Sequence, residues 1–436
     1  MQTWPEPVLV DFVTGDATGL RMPAHADALR AAGAEFLTRA FHAYGTLAPD
    51  NRVARITRCE PCAAGNSGHK LFLSVEYERP GPDLHEDLFV KFSRDFGDAF
   101  RDRRRMELEA EIRLAALSRH PAFPVTVARA WFADFERPSG TGLLITQRIA
   151  FGEGGVEPVR PKNMDHELAD ASEYYRATLG ALARLAGAHK SGALSPEVER
   201  LFPFDVEAAR ADIPIPCDEA GLLAKARAVS AFVTAHPRLF PANVADPAFL
   251  ARFQAEAPLF RRHEAAIKHC LNADPDHIAL THWNTHLDNA WFWRDAQGTL
   301  QCGLLDWGMV RQMNVAYGLW GGLSAASLDF WDAHLDPMLA FYARELESHG
   351  GPALSLAELT LHFELSATML CLAMFMDAPA LVLSRMPAIG EVAGPHDPRL
   401  REDSVVHGFL HGFTNFLYLW ERRGFGANLA TVLERG

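Results

Sequence analysis

The character of the chain changes at the FGEGG run of residues 151–155, from mostly short strand-like runs to long helical patterns. Before it, short β-branched and aromatic runs are bounded by Gly and Pro: VARITRC at 53–59, LFLSVEY at 71–77 and DLFVKFS at 87–93, with further candidates near 125–135 and 142–149. Such runs read as antiparallel strands. After it, apolar residues recur at helical spacing over 165–190, 248–271, 329–348, 356–376 and 405–422. One core seldom serves 436 residues, so an α+β chain with a small sheet lobe and a larger, mainly helical lobe is expected. A charged helical segment near 100–119 leaves a five-stranded sheet carrying one helix. Leu29, Phe36, Leu37, Ala40, Phe41 and Tyr44 form one stripe of an earlier helix. The expected division is a helical extension at 1–50, the sheet lobe at 51–150 and the helical lobe at 151–436. A Pro-rich, weakly periodic insertion lies near 195–247; it is either a cover over the substrate or a connection.

Apolar residues make up 48% and charged residues 22%, the balance of a chain that folds. A formal charge of -13 argues against a dedicated nucleic-acid binder, because binding phosphates along a strand needs a basic face. The basic run at 101–105 sits among Asp102, Glu107, Glu109 and Glu111 and reads as a solvated helix start. MQTWPEPVLVDF has no basic segment ahead of an apolar core, so a secretory signal is not expected and the cytoplasm is the default. The most apolar later segment, 368–382, is broken by Asp377 and Pro379 and is shorter than the ~20 residues of a membrane span. A buried helix and no membrane partner are expected there. Cys59 and Cys62 have the spacing of zinc or redox pairs, but no second pair completes a zinc site and no helix start follows them. Ordinary thiols are expected.

A phosphate-handling site brings backbone donors, a cation and metal-binding oxygens to one place. Gly65, Asn66, Ser67 and Gly68 form a loop whose backbone can approach phosphates closely, although a plain hairpin turn has the same composition. Lys91 lies inside the apolar run LFVKF, where an unpaired ammonium is costly. It therefore needs an acid or a phosphate; Glu111 is the preferred partner and Glu107, one turn earlier, the alternative. A snorkelling edge-strand lysine is the plainer reading. Far downstream, THWNTHLDN at 281–289 places Asn284 two positions after His282 and Asn289 five further on. That is the histidine–aspartate–asparagine spacing of kinase catalytic loops, with asparagine in the aspartate position. GLLDWG then sets Asp306 at the end of a short apolar strand, where a carboxylate calls for a metal or a donor.

On these motifs the chain resembles the aminoglycoside phosphotransferase and choline kinase-like superfamily, including its ecdysteroid kinase-like branch, over roughly 53–319. The family's loop HGDxHxxN, with a later DW or DF, stands here as HWNTHLDN with a later DW. His282, His286, Asn289, Asp306 and Trp307 match, while Trp283 replaces the usual glycine and Asn284 the usual aspartate. LARLAGAHKSGAL, with His189, is similar to a family helix that ends in a histidine. The resemblance implies a bilobal protein kinase-like fold, ATP and Mg as cofactors, and a nucleotide and a small-molecule acceptor as partners. It also implies that Asn289 and Asp306 hold the metal, that Asn284 and Asp306 stand at the catalytic positions, and that Gln147 to Ile149 offer backbone hydrogen bonds to adenine.

An amide at position 284 cannot take a proton near neutral pH. General-base help is worth ~10² to 10⁴ in rate, and positioning and electrostatics contribute more. An ATP- and Mg-dependent transfer to a hydroxyl, with the Asn284 carbonyl orienting that hydroxyl, is therefore the first reading. A pseudokinase-type nucleotide or metabolite binder with little or no turnover is the second. A helical metalloprotease would use His282 and His286, four apart, but needs a glutamate where Trp283 stands. The two histidines are expected to brace the loop instead. Trp283, Trp291, Trp293, Trp307 and Trp320 are expected mostly in the core, with one or two lining an apolar acceptor pocket.

Overall fold

The protein is described here by a computed structural model covering residues 8–62, 65 and 67–435; Asn66 of the glycine loop lies outside them. A hairpin of β1 (Phe12–Thr14) and β2 (Arg21–Pro23) leads into α1 (Ala26–Tyr44). The hairpin's turn is anchored by Asp134, whose carboxylate accepts the Ala17 and Thr18 amides at 3.1 and 2.9 Å and the Thr18 hydroxyl. Helix α1 ends where Gly45 takes a left-handed conformation (φ 73) that closes its last turn. Its apolar stripe is buried, and Phe36 meets Phe132 edge-on at 6.0 Å.

Next come β3 (Val53–Cys62), β4 (His69–Tyr77), β5 (Asp87–Phe92), the helices α2 (Ala99–Arg103) and α3 (Glu107–Leu117), then β6 (Thr126–Val127), β7 (Ala130–Glu136) and β8 (Thr141–Gln147). Five of these strands pair antiparallel in the order β3-β4-β5-β8-β7. Leu71, Leu73 and Val75 alternate inward along β4, the period-2 pattern of a sheet with one covered face. The charged helical segment is two helices rather than one, because residues 104–106 turn between them. The expected strand near 125–135 is also divided. Its first two residues, β6, leave the sheet and pair in parallel with a strand of the helical half.

The second half is helical, with short strands set among the helices. In chain order it contains α4 (Ala171–Lys190), α5 (Glu197–Leu201), α6 (Val206–Ala211), α7 (Glu219–Ala235), α8 (Pro247–Arg262) and α9 (Glu264–Ala273). The strands β9 (Ile278–Thr281), β10 (Ala290–Arg294), β11 (Leu300–Leu304) and β12 (Arg311–Asn314) follow, then α10 (Val315–Leu323), α11 (Leu328–Ser348), α12 (Leu356–Met374), α13 (Ala378–Arg385), α14 (Ser404–Arg423) and α15 (Asn428–Arg435). Asp170, Asp218, Asp246, Ser327, Ser355 and Asp403 cap helix starts by accepting first-turn amides. The helix expected over 248–271 breaks at His263, which separates α8 from α9. The Pro-rich insertion holds α5, α6 and α7. Helix α12 is long and apolar enough to cross a membrane by length and composition, yet it is mostly buried among α9, α10, α11, α14 and α15.

Two hydrophobic cores result, one between α1, α3 and the five-stranded sheet, the other among the helices and β9 to β12. The architecture is α+β, a small antiparallel sheet followed by a larger helical region. Helix α10 carries glycines where the chain passes closest. A methyl at Gly321 would lie 1.4 Å from the Trp283 carbonyl oxygen, and one at Gly318 would lie 2.7 Å from the Thr281 hydroxyl. Gly180 of α4, by contrast, would set its methyl 3.4 Å from a movable Arg184 tip. Gly321→Ala is thus expected to destabilise by about 1–3 kcal/mol through overpacking. Gly180→Ala should be neutral, or stabilise by up to about 1 kcal/mol through helix propensity. Urea denaturation of the two variants checks the contrast, and equal effects would contradict the close packing at Gly321.

Candidate active site

Strand β5 carries Lys91 inward, and α3 presents Glu111 to it. The Lys91 ammonium donates to Glu111 Oε2 at 2.6 Å and to Asp306 Oδ1 at 2.8 Å. Glu107, the alternative partner, instead binds Arg104 at 2.7 Å. Lys91 is 6% exposed, so burial works against its charge. The two carboxylates reverse that and hold its pKa above the ordinary lysine value. Burial raises the Glu111 carboxyl, while the Lys91 charge holds Asp306 below the usual carboxylate range. The Asp306 side chain stays 44% exposed.

Asp306 lies just beyond β11, and its backbone is left-handed (φ 57). That conformation costs a non-glycine residue about 1–3 kcal/mol and is kept where surroundings over-determine it. Here the surroundings are specific. His282 is fully buried, bonds the Leu305 carbonyl through Nε2 at 3.0 Å and stacks on Trp307 at 4.6 Å. The Trp307 indole donates to the Leu304 carbonyl at 2.9 Å. Burial pulls the His282 pKa down to about 4 and that of His286 to about 3, so both rings are neutral. The His282 bond to Leu305 braces the loop, whereas the buried Nδ1 of His286 has no hydrogen-bond partner among the described residues.

The loop of residues 282–289 leaves β9 and enters β10, whose antiparallel pairing with β11 sets Ala290 opposite Leu304. The Leu305 amide donates to the Asn289 carbonyl at 2.8 Å, bringing Asn289 and Asp306 to the same end of the hairpin. The Asn289 side-chain nitrogen donates to the Asn284 carbonyl at 2.8 Å, which turns Oδ1 away from that contact. The Asn284 side chain is half-buried and makes no hydrogen bond among the described residues. An Asp306 carboxylate and an Asn289 amide oxygen are hard donors. They fit a magnesium ion that takes its other ligands from water and phosphate.

On the sheet side, Gly65 and Gly68 both have positive φ, 76 and 57. A methyl at Gly68 would fall 1.9 Å from the Phe92 carbonyl oxygen, so the loop presses against β5 near Lys91. The Ser67 carbonyl accepts Lys70 Nζ at 2.6 Å. Strand β8 ends at Gln147, whose amide is committed to the Arg129 carbonyl at 2.8 Å. Arg148 donates its amide to the Asp87 carbonyl at 3.1 Å, whereas Ile149 has no backbone partner among the described residues, so of Gln147, Arg148 and Ile149 it has the uncommitted amide.

One group, Lys70, escaped the sequence. Lys70 on β4 is 7% exposed and pairs in register with Lys91; the alternation of LFLSVEY, extended back, puts it on the half-buried face of Phe72 and Ser74, opposite Leu71 and Leu73, so that pattern does not mark its burial. His189 accepts the Leu280 amide at 3.0 Å and donates to Glu199 at 2.9 Å, fixing α4 to the strand that feeds the loop. Trp307 and Trp320 are buried, Trp291 covers Gly303, and Trp283 and Trp293 are half-buried. Cys59 and Cys62 are free thiols on β3.

Removing the cation should expose the conflict between the two acids. Lys91→Met leaves Glu111 and Asp306 unpaired, with folded-state pKa values above their unfolded ones near 4. Stability is then lost as pH rises through those folded values. The gap between natural protein and variant should widen from pH 4.5 to 7.5, reaching about 3–5 kcal/mol, as for a broken buried pair. Denaturation at both pH values measures it, and a gap independent of pH would contradict the assigned coupling.

No family model matches the sequence, and no curated protein matches it. Among solved structures, the chain is similar to choline kinase from Cryptosporidium parvum Iowa II, with 10% identity, 86% of this chain and 91% of that one covered, and a TM-score of 0.43. It is also similar to a spectinomycin phosphotransferase in complex with ADP and spectinomycin, with 10% identity over 85% of this chain and 94% of that one, at a TM-score of 0.39. A microcompartment-associated aminopropanol kinase aligns with 12% identity over 90% and 98%, at a TM-score of 0.39.

Proposed function

We propose that this chain is an ATP- and Mg-dependent phosphotransferase acting on a hydroxyl of a small molecule, in the manner of the family its motifs resemble. The observation that carries the reading is the Lys91 ammonium shared between Glu111 and Asp306 at 2.6 and 2.8 Å. It joins the sheet, α3 and the strand after the loop at one point, beside a glycine loop. A structural ion pair needs one acid; this lysine holds two, and one faces the cleft.

In this reading residues 51–150 hold the nucleotide and residues 151–436 supply the loop and the acceptor side. The backbone at Gly65, Ser67 and Gly68, with Asn66, covers the phosphates. Lys91 binds their oxygens, held in aim by Glu111. Ile149, next to Gln147, gives adenine its backbone donor. Asn289 and Asp306 hold Mg, which when bound neutralises charge on the phosphate oxygens. The acceptor oxygen forms a bond to the terminal phosphorus while that phosphorus parts from the bridging oxygen of the leaving ADP. Asn284 accepts a hydrogen bond from the attacking hydroxyl and orients it. It cannot keep the proton, which passes to a phosphoryl oxygen.

In this reading the acceptor occupies a cavity of the helical region. A cavity of about 500 Å³ lies between Phe240 and Pro241 of the insertion and His407, Leu410 and His411 of α14. Burial first lowers the pKa of His411, which lines this cavity, to about 4, against the bond its ring makes to the Ala325 carbonyl at 3.0 Å. In this reading the insertion forms a wall of the acceptor site.

The unengaged Asn284 side chain favours a second reading, a nucleotide binder with little turnover. Two measurements separate the readings. Saturating Mg-ATP, about 100-fold above Kd, should stabilise the natural chain by about 2.7 kcal/mol. The same nucleotide should stabilise Asp306→Ala much less, as read by thermal melting. An unchanged melt of the natural chain would remove both readings. With a hydroxyl acceptor present, Asn284→Asp should raise ATP consumption by ~10² to 10⁴. No gain despite sound Mg-ATP binding would count against the missing base as the limit on rate.

A further inference from the structure

The β4–β5 pairing sets Lys70 directly opposite Lys91. Residues opposite each other in an antiparallel pair share a face, with Cβ atoms about 4.5–5.5 Å apart, and like charges there repel. Lys91 relieves its charge on two carboxylates. Among the described residues Lys70 has no carboxylate partner; it spends one of three donors on the Ser67 carbonyl at 2.6 Å. Its head lies under the glycine loop, since a methyl at Gly65 would meet Lys70 Nζ at 2.8 Å and Cε at 3.4 Å.

A lysine 7% exposed, beside a second lysine and without an acid of its own, is a costly arrangement for a strand that packing alone would fill with Leu or Val. Burial first, and the Lys91 charge next, bring its pKa down to about 8. The nearby carboxylates of Asp306 and Glu111 oppose that shift without meeting the ammonium. A dianionic or trianionic group placed between the two lysines and the loop would satisfy the spare donors and cancel the repulsion.

We propose that Lys70 is a second phosphate-binding cation of this cleft, contacting the phosphate oxygens of a nucleoside polyphosphate from beneath the glycine loop beside Lys91. The proposal rests on the nucleotide reading of the site.

The plainer role for Lys70 is a staple that holds the loop through Ser67, and calorimetric titration distinguishes the two. Mg-ATP and adenosine are titrated into the natural chain, Lys70→Met, Lys70→Arg and Lys91→Met. A lost charge-assisted contact should weaken Mg-ATP binding by about tenfold or more in Lys70→Met. Adenosine binding should stay within about twofold, and Lys70→Arg should retain most of the Mg-ATP affinity. The proposal is overturned if Lys70→Met binds Mg-ATP like the natural chain, or loses Mg-ATP and adenosine equally as a collapsed loop would. If the natural chain binds Mg-ATP and only Lys91→Met loses it, the nucleotide reading stands and the Lys70 proposal falls. If the natural chain binds no Mg-ATP, both fall.

Discussion

An unpaired buried ammonium is costly, and Lys91 is met by acids from two distant parts of the chain. Glu111 is twenty residues away on α3; Asp306 is 215 residues away beyond β11. The sheet and the helical region therefore share an electrostatic constraint as well as a packing contact. The left-handed backbone of Asp306 fits this picture. Its strain is tolerated because Lys91 attracts the carboxylate from one side while the His282–Trp307 stack fixes the adjoining strand from the other.

Close backbone packing gives the loop its shape. Helix α10 has glycines at 318, 321 and 322, and a side chain at 321 would collide with the Trp283 carbonyl. Gly321 thus makes room for the backbone of Trp283, whose side chain is half-buried. Asn284 and Asn289 are held together by a side chain-to-backbone hydrogen bond. The pair proposed to hold metal, Asn289 and Asp306, is thus placed from the backbone outward.

Much of this was legible in the sequence because it is local. The change of hydrophobic period separated strands from helices, and an ammonium within LFVKF announced a need for acids. The His282–Asn284–Asn289 spacing located the loop. What stayed hidden depends on partners far along the chain. The β1–β2 hairpin is anchored by Asp134, more than a hundred residues later. The β6 pairing with β11 crosses between the two halves. The break at His263 interrupts a continuous helical pattern without any glycine or proline at the break itself. Lys70 was missed because its strand begins two residues before the apolar run that marks it.

The central claim is that the cleft at Lys91 receives nucleotide phosphates. A direct measurement is covalent labelling with an acyl phosphate of ATP, which transfers its acyl group to a lysine lying at the phosphates, followed by peptide mass spectrometry. Labelling should fall on Lys91, or on Lys70 across the strand pair, and free Mg-ATP should suppress it. Labelling confined to other lysines, or labelling at these two that excess Mg-ATP leaves unchanged, would contradict the account.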